Sequence, residues 1–207
     1  MPKPPREFKQ PAFTPEEMET FIWSTVIDGL HPDMIIALLM ATIYGCRLGE
    51  IAALRPEDIQ ITGDKASVYI RTEKNGQMKS QPIPKELIPL FAVPFAPTKP
   101  RMLLDKLQRL SKKIGVLLPE RSGYHSFRRR VATDIFEVEK SELNVHNFMR
   151  WSAPRQYTML ARYRQTPTEV TDMQILRVHP YVAMWEKTLP FIFKYNPYYY
   201  SLNDITK

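Results

Sequence analysis

The segment at residues 34–44 constrains the fold most, because it is apolar on almost every face that a helix would present. Pro32 and Asp33 precede it as helix-start residues, and Gly45 follows it as a helix stop. A helix that is apolar all round is buried on every side. The segment therefore predicts the central helix of a helix-rich domain, with other elements packed around it.

On both sides of this segment the sequence has the periodicity of helices, except for one stretch that has the periodicity of strands. Thr14 and Glu17 form a helix start of the capping-box type, and further amphipathic helices are predicted from Arg101 and Ser126. Residues 59–83 alternate instead with the period of β-strands and contain glycine turns. We therefore predict a mainly α fold with a small three-stranded antiparallel sheet.

The chain is predicted to consist of three segments. Residues 1–13 are basic and proline-rich, which is typical of an extended arm. Residues 14–165 have the length of one sizeable domain. Residues 166–207 combine a helical pattern with an aromatic tail, which we expect to pack on this domain or on a partner subunit, because such tails seldom stay in solvent.

The net charge of +7 and the pI of about 9.4 indicate a polyanionic partner. No apolar run approaches the ~18 residues of a membrane span, so the sequence favours nucleic acid over a membrane. One cysteine and four histidines offer neither a disulfide framework nor zinc-ligand spacing, so we expect no metal and no cofactor. Residues 1–13 lack the apolar core of a secretory leader, and an intracellular protein is expected.

A first anion-handling cluster is predicted at residues 123–130. His125 and Arg128 lie one turn apart at the start of an amphipathic helix, beside backbone amides that favour an anion. A solvated basic turn is the alternative interpretation of this cluster taken alone.

A second cluster follows the central helix. Arg47 comes directly after the glycine break at Gly45, and Glu50, one turn later, can orient or partly neutralise its guanidinium. A planar guanidinium matches two oxygens of a phosphodiester. The alternative is a surface ion pair between Arg47 and Glu50, which would contribute little.

Further candidate groups lie at a predicted hairpin tip, before a short helix and on that helix. Lys74 at the tip can contact a phosphate or donate a proton, or it is simply solvated. Trp151 and the two tyrosines that follow it, Tyr157 and Tyr163, are either site residues or ordinary packing residues.

The helix predicted from Arg101 has an apolar stripe opposite a strongly basic face. Each phosphate that such a face neutralises adds salt-dependent affinity for nucleic acid. A merely solvated face is the alternative. The residues we assign to backbone contacts are Lys106, Arg109, Lys112 and Lys113 on this helix and Arg129 beside the first cluster.

In this order the clusters resemble the catalytic domain of the tyrosine recombinases, the phage-type integrases, over about residues 14–165. The family's Gly-x-Arg-x-x-Glu box falls on Gly45, Arg47 and Glu50, its hairpin lysine on Lys74, its His-x-x-Arg box on His125 and Arg128, and its His-or-Trp position on Trp151.

The resemblance implies a fold, a reaction and a set of roles. A tyrosine hydroxyl attacks a DNA phosphodiester, gives a 3′-phosphotyrosyl link and a free 5′-hydroxyl, and reversal with another strand rejoins the DNA without a metal. The implied roles are transition-state stabilisation for Arg47 and Arg128, protonation of the leaving oxygen for Lys74, proton transfer or phosphate holding for His125, phosphate positioning for Trp151, and support of the arginines for Glu50.

The sequence departs from the family at the nucleophile. The family usually places its tyrosine at the ninth position after the His-or-Trp residue, which here is Leu160. Tyr157 precedes that position by nearly one helical turn, and Tyr163 follows it by as much. We assign Tyr163, because residues 159–163 resemble the family's approach to its tyrosine, and Tyr157 is the alternative.

A second departure is the absence of the family's additional DNA-clamping domain before residue 14. We interpret the chain as a fragment of a longer integrase; a minimal enzyme that clamps DNA by dimerising is the alternative. The expected partners are double-stranded DNA and further copies of the chain, as a dimer or tetramer on DNA. Two other functions stay open: a non-catalytic DNA-binding module of the same fold, and a type IB topoisomerase.

Overall fold

The central helix is present in the computed structural model, which describes residues 12–72, 78–118, 123–151 and 168–200. Three helices come first along the chain: α1 (Pro15–Ile27), α2 (Pro32–Thr42) and α3 (Leu48–Ala52). All α2 residues from Met34 to Thr42 are buried, as a helix that is apolar all round requires. Both α1 and α3 pack against α2.

The start of α1 and the end of α2 follow the sequence signals. The Glu17 amide donates to Thr14 Oγ1 (3.2 Å) and the Thr14 amide to Glu17 Oε2 (2.8 Å), which closes the predicted capping box. After α2 the chain turns at Gly45, where φ is +56° and a glycine is favoured. This turn delivers Arg47 to the start of α3.

The predicted sheet has three antiparallel strands in the order β1 (Ile59–Thr62), β2 (Lys65–Ile70) and β3 (Lys79–Ile83). Ile59 pairs with Val68, and Ile70 pairs with Lys79. Val68, Ile70 and Ile83 are buried in the common core. The fold prediction, mainly α with a small antiparallel sheet, is confirmed.

Four helices follow the sheet: α4 (Ile88–Phe91), α5 (Pro100–Ile114), α6 (Tyr124–Glu139) and α7 (Glu142–Phe148). Helix α6 begins two residues before the predicted start at Ser126, because Tyr124 is buried and its ring lies 6.0 Å from that of Phe127. Helices α5 and α6 both contact α2. The two predicted clusters thus lie on neighbouring elements.

The last two helices are α8 (Thr168–Val178) and α9 (Pro180–Tyr195). Helix α9 packs against α1, and Trp185 Nε1 donates to Thr42 Oγ1 (2.9 Å) at the end of α2. Tyr195 ends α9 and is exposed; beyond it, Tyr199 is buried, whereas Tyr198 and Tyr200 are exposed. No helix among the described residues has the length and apolarity that a membrane span requires.

Candidate active site

A fully buried carboxylate, that of Glu50, lies at the centre of the candidate site. Arg47 NH1 lies 2.9 Å from Glu50 Oε1, Arg150 NH2 lies 3.2 Å from Oε2, and Arg128 NH1 lies 4.0 Å from Oε2. Three guanidiniums therefore surround one carboxylate. The net charge of this group is positive, which favours the binding of a further anion.

Glu50 stays ionised although it is buried. Burial alone would raise its pKa, but the attraction of Arg150, the hydrogen bond from the Arg47 amide (2.9 Å) and the attraction of Arg128 together lower the pKa below its ordinary value. The carboxylate can therefore accept from the arginines at neutral pH.

Arg47 is the N-cap residue of α3, and its NH1 donates to Glu50 Oε1. Its side chain is 28% exposed, while that of Glu50 is 0% exposed. The ion pair is thus not the solvated surface pair that the sequence offered as an alternative. Arg47 thus combines a fixed guanidinium with a partly exposed side chain, which is an arrangement that suits phosphate recognition.

Arg128, one turn into α6, is buried to 2% exposure. Its NH1 donates to the Gly45 carbonyl (2.6 Å) and its NH2 to the Met149 carbonyl (2.7 Å). Burial, followed by repulsion from Arg150 and Arg47, lowers the pKa of Arg128 to about 10, so it remains charged at neutral pH. In this state Arg128 holds two turns together.

His125 lies on the first turn of α6 and is exposed. Partial desolvation, and then repulsion from Arg129, Arg128 and Arg47, lowers its pKa. The neutral imidazole is therefore favoured, and it can accept a proton beside a positively charged group.

Trp151 is half-buried and lies against the guanidinium of Arg128. The guanidinium carbon of Arg128 lies 5.7 Å from the centroid of the Trp151 ring, within the range of a cation–π contact. The ring also meets His146 edge-on at 4.9 Å. Trp151 is thus placed beside the arginines rather than in the main core.

The sequence analysis missed Arg150, which has 0% exposure and a left-handed backbone with φ of +57°. The available signal was an arginine directly after the apolar pair Phe148 and Met149, because a charged residue in such a position requires a buried counter-ion. That counter-ion, Glu50, is distant in the sequence.

The predicted DNA-contacting residues of α5 differ in their surroundings. Lys113 Nζ lies 2.5 Å from Asp28 Oδ1, and Lys106 Nζ lies 3.6 Å from Asp33 Oδ2. Arg109 and Lys112 are exposed. The remaining predicted contact, Arg129, is half-buried on α6.

Three predicted site residues lie outside the described residues: Lys74 in 73–77, and Tyr157 and Tyr163 in 152–167. Among the predicted site residues that the structure describes, it brings together Arg47, Glu50, His125, Arg128 and Trp151. Within the described ranges no group of three or more histidines, cysteines or acidic residues is arranged to hold a metal ion.

Comparison with known proteins identifies the fold. No protein-family model matches the sequence, and no curated protein matches it. Among solved structures, a XerH site-specific recombinase bound to a palindromic difH substrate, in a post-cleavage complex, matches with a TM-score of 0.56 and 13% identity over 75% of this chain and 50% of that one. A pre-cleavage complex of XerH with difH matches with a TM-score of 0.55 and 14% identity over 74% and 53%.

These likenesses confirm the resemblance to tyrosine recombinases at the level of the fold. The chain spans about half the length of the structures that it matches.

Proposed function

We propose that this chain is the DNA-cleaving part of a site-specific tyrosine recombinase. One observation carries the proposal: Arg47 and Arg128, eighty-one positions apart, meet at one buried carboxylate beside His125 and Trp151. Simple binding to a DNA backbone needs only exposed cations. A buried counter-ion that fixes an arginine is more useful for stabilising charge that develops during a reaction.

In the proposed reaction the oxygen of Tyr163 attacks the phosphorus of a DNA phosphodiester. The bond to the 5′ oxygen breaks, and that oxygen takes a proton, which we assign to Lys74. Reversal by a 5′-hydroxyl of another strand rejoins the DNA. Both Lys74 and Tyr163 enter as proposals from the sequence, with Tyr157 as the alternative nucleophile.

The described residues supply the surroundings of the phosphate in this proposal. Arg47, whose side chain is partly exposed, binds the non-bridging oxygens of the phosphate. The positive excess around Glu50 favours the more negative transition state over the ground state. His125, with its lowered pKa, accepts the phenolic proton or holds the phosphate. Trp151 limits the access of water to Arg128.

The partners are double-stranded DNA and further copies of the chain. Because the chain spans about half of the structures that it matches, we propose that it acts as a fragment of a longer integrase or by self-association on DNA. A DNA-associated intracellular location follows from this function.

A non-catalytic DNA-binding module is the second candidate, and the burial of Arg128 is the observation that favours it. Both outer nitrogens of Arg128 donate to backbone carbonyls, so a phosphate would have to replace one of these contacts. A type IB topoisomerase, with the same chemistry, is the third candidate.

A covalent-trapping experiment tests the proposal. The protein is incubated with a pool of randomised duplexes that carry nicks at staggered positions, so that cleavage near a nick releases a short fragment and traps the adduct. A protein–DNA adduct that survives denaturation, is lost in Tyr163→Phe and persists in Tyr157→Phe supports the proposal. Tight DNA binding without any adduct supports the binding module, and relaxation of a supercoiled plasmid supports the topoisomerase.

A further inference from the structure

Arg150 joins the two turns that carry the candidate site residues Arg47 and Trp151. It is fully buried, so it cannot touch DNA. Its two outer nitrogens reach five acceptors on four different parts of the fold. These are Glu50 Oε2 (3.2 Å), the Tyr44 carbonyl (3.1 Å), Cys46 Sγ (3.4 Å), Gln81 Oε1 (2.5 Å) and the Phe148 carbonyl (3.3 Å).

The carbonyls that Arg150 occupies are the direct neighbours of those that Arg128 occupies. Arg150 takes the carbonyls of Tyr44 and Phe148, and Arg128 takes those of Gly45 and Met149. Two planar guanidiniums thus connect the same pair of turns at consecutive residues. The positions of Arg47 and Trp151 relative to each other depend on this double connection.

The backbone of Arg150 indicates that its side chain is needed. Its φ of +57° is the left-handed conformation, which costs free energy for any residue except glycine. A glycine would fit this turn without strain but would provide no guanidinium. The strained conformation persists because the five contacts of the side chain determine it.

The charge of Arg150 acts on both other arginines of the proposed site, Arg47 and Arg128. It is the largest of the attractions that keep Glu50 ionised against the effect of burial, and Glu50 in turn holds Arg47. It is also the largest of the repulsions that lower the pKa of Arg128. Removing this charge therefore weakens the hold of Glu50 on Arg47, because Glu50 protonates more readily. It also removes the largest repulsion on Arg128.

We infer that Arg150 is a positioning residue of the proposed DNA-cleavage site: it fixes Glu50 and the turn at Gly45, and thereby sets the positions of Arg47 and Arg128 at the site. The inference rests on the proposed function. Gln81 extends the arrangement, because its amide nitrogen donates to the Phe148 carbonyl (3.1 Å) and to Asp172 Oδ2 (3.4 Å) on α8.

The test compares Arg150→Gly and Arg150→Lys with the wild type. The glycine variant keeps the left-handed turn and removes the guanidinium, and the lysine variant keeps the charge without the fork. Lys140→Gly is the matched control, because Lys140 also has a left-handed backbone, with φ of +59°. It is exposed at the end of α6 and has no assigned role in the candidate site. It reports the effect of relieving backbone strain alone.

The expected result is a separation of binding from cleavage. The single-turnover rate of adduct formation falls by about 100-fold in Arg150→Gly, as for a misplaced catalytic group, while DNA affinity changes by less than about 10-fold. The acid limb of the pH–rate profile moves to higher pH, because Glu50 protonates more readily without Arg150. Arg150→Lys recovers part of the rate and most of the pH profile.

Three outcomes are distinguishable. Wild-type rates in a folded Arg150→Gly protein, or equal losses of binding and cleavage, overturn the inference and leave the proposed function intact. If the wild type forms no adduct, the proposed function fails, and carboxyl NMR of Glu50 then decides: an unchanged Glu50 titration in Arg150→Gly overturns the positioning role as well. If the glycine variant does not fold, the rate of the lysine variant alone tests the inference, and a rate equal to that of the wild type overturns it.

Discussion

Gly45 and Met149, more than a hundred positions apart in the chain, lie in such close contact that a Cβ atom at Gly45 would be 2.6 Å from Met149 Cε. The same hypothetical atom would lie 3.4 Å from Val131 Cγ1 on α6. This close approach of two turns lets Arg128 reach the carbonyls of both residues, at 2.6 and 2.7 Å. The geometry of the candidate site therefore depends on a position without a side chain.

Replacing Gly45 with alanine is expected to lower the free energy of unfolding by about 2–4 kcal/mol. About 1–2 kcal/mol comes from a left-handed residue with a Cβ, and the rest from moving the buried Met149 side chain. Gly63→Ala is the matched control, because Gly63 has φ of +61° and a Cβ atom there would meet no heavy atom within 4 Å. Urea denaturation measures both; equal losses in the two variants would show that Met149 moves aside without cost.

The pair of Lys79 on β3 and Asp172 on α8 is expected to show strong coupling. Lys79 Nζ lies 2.7 Å from Asp172 Oδ1, and the side chains are 11% and 1% exposed. Removing one partner leaves a buried charge without its counter-ion, which costs about 3–5 kcal/mol. The double variant Lys79→Met/Asp172→Leu is expected to lose clearly less than the sum of the two single variants.

A double-mutant cycle in urea measures this coupling. The exposed pair of Lys85 and Asp64, with Nζ and Oδ2 3.7 Å apart and side chains 68% and 69% exposed, is the control. Its coupling energy is expected to be about 0–1 kcal/mol. Additive losses for Lys79 and Asp172 would contradict the view that the sheet and α8 are held together by this pair.

His179 is expected to make the fold less stable in acid. Burial lowers its pKa to about 4, against smaller opposing effects of the Ile43 backbone and of Asp134. In the unfolded chain His179 therefore binds a proton near pH 6.5, whereas in the folded chain it binds this proton only near pH 4. The contribution of neutral His179 to the free energy of unfolding is therefore fully present above about pH 6.5. It is lost, by about 3 kcal/mol in all, as the pH decreases to about 4.

The His179→Asn variant checks this sign. Asparagine still caps α9, whose Tyr181 amide donates to His179 Nδ1 (3.2 Å), but it does not titrate. The difference in unfolding free energy between wild type and variant is expected to shrink from pH 7 to pH 4. His31→Asn, which replaces the exposed histidine cap of α2, controls for the loss of a histidine cap; a constant difference for His179 would refute the assignment.

The parts of the structure that the sequence predicted are those set by local pattern. The buried α2, the capping box at Thr14 and the three strands depend on residues within a few positions of one another, so periodicity and turn chemistry were enough. The burial of Arg128 and the role of Arg150 depend on contacts with Gly45, Glu50 and neighbours about a hundred positions away. Nothing local distinguishes such arginines from solvated ones, and for that reason a surface ion pair stayed open for Arg47.

The basic face of α5 is expected to contribute unequally to DNA binding. Lys112 is exposed, whereas Lys113 already has Asp28 as a counter-ion at 2.5 Å. A cation that neutralises a phosphate releases condensed counter-ions and steepens the dependence of log K on log salt by about 0.9. Lys112→Gln is therefore expected to reduce the slope by about that amount, and Lys113→Gln by less.

Asp28→Asn completes this comparison, because it frees Lys113 and is expected to steepen the salt dependence. Fluorescence anisotropy with a labelled duplex, titrated at several salt concentrations, gives the three slopes. If none of the variants changes the slope, α5 has the solvated face that the sequence left as an alternative. Equal reductions for Lys112→Gln and Lys113→Gln would instead mean that DNA displaces Asp28 from Lys113, since both lysines would then neutralise a phosphate in the complex.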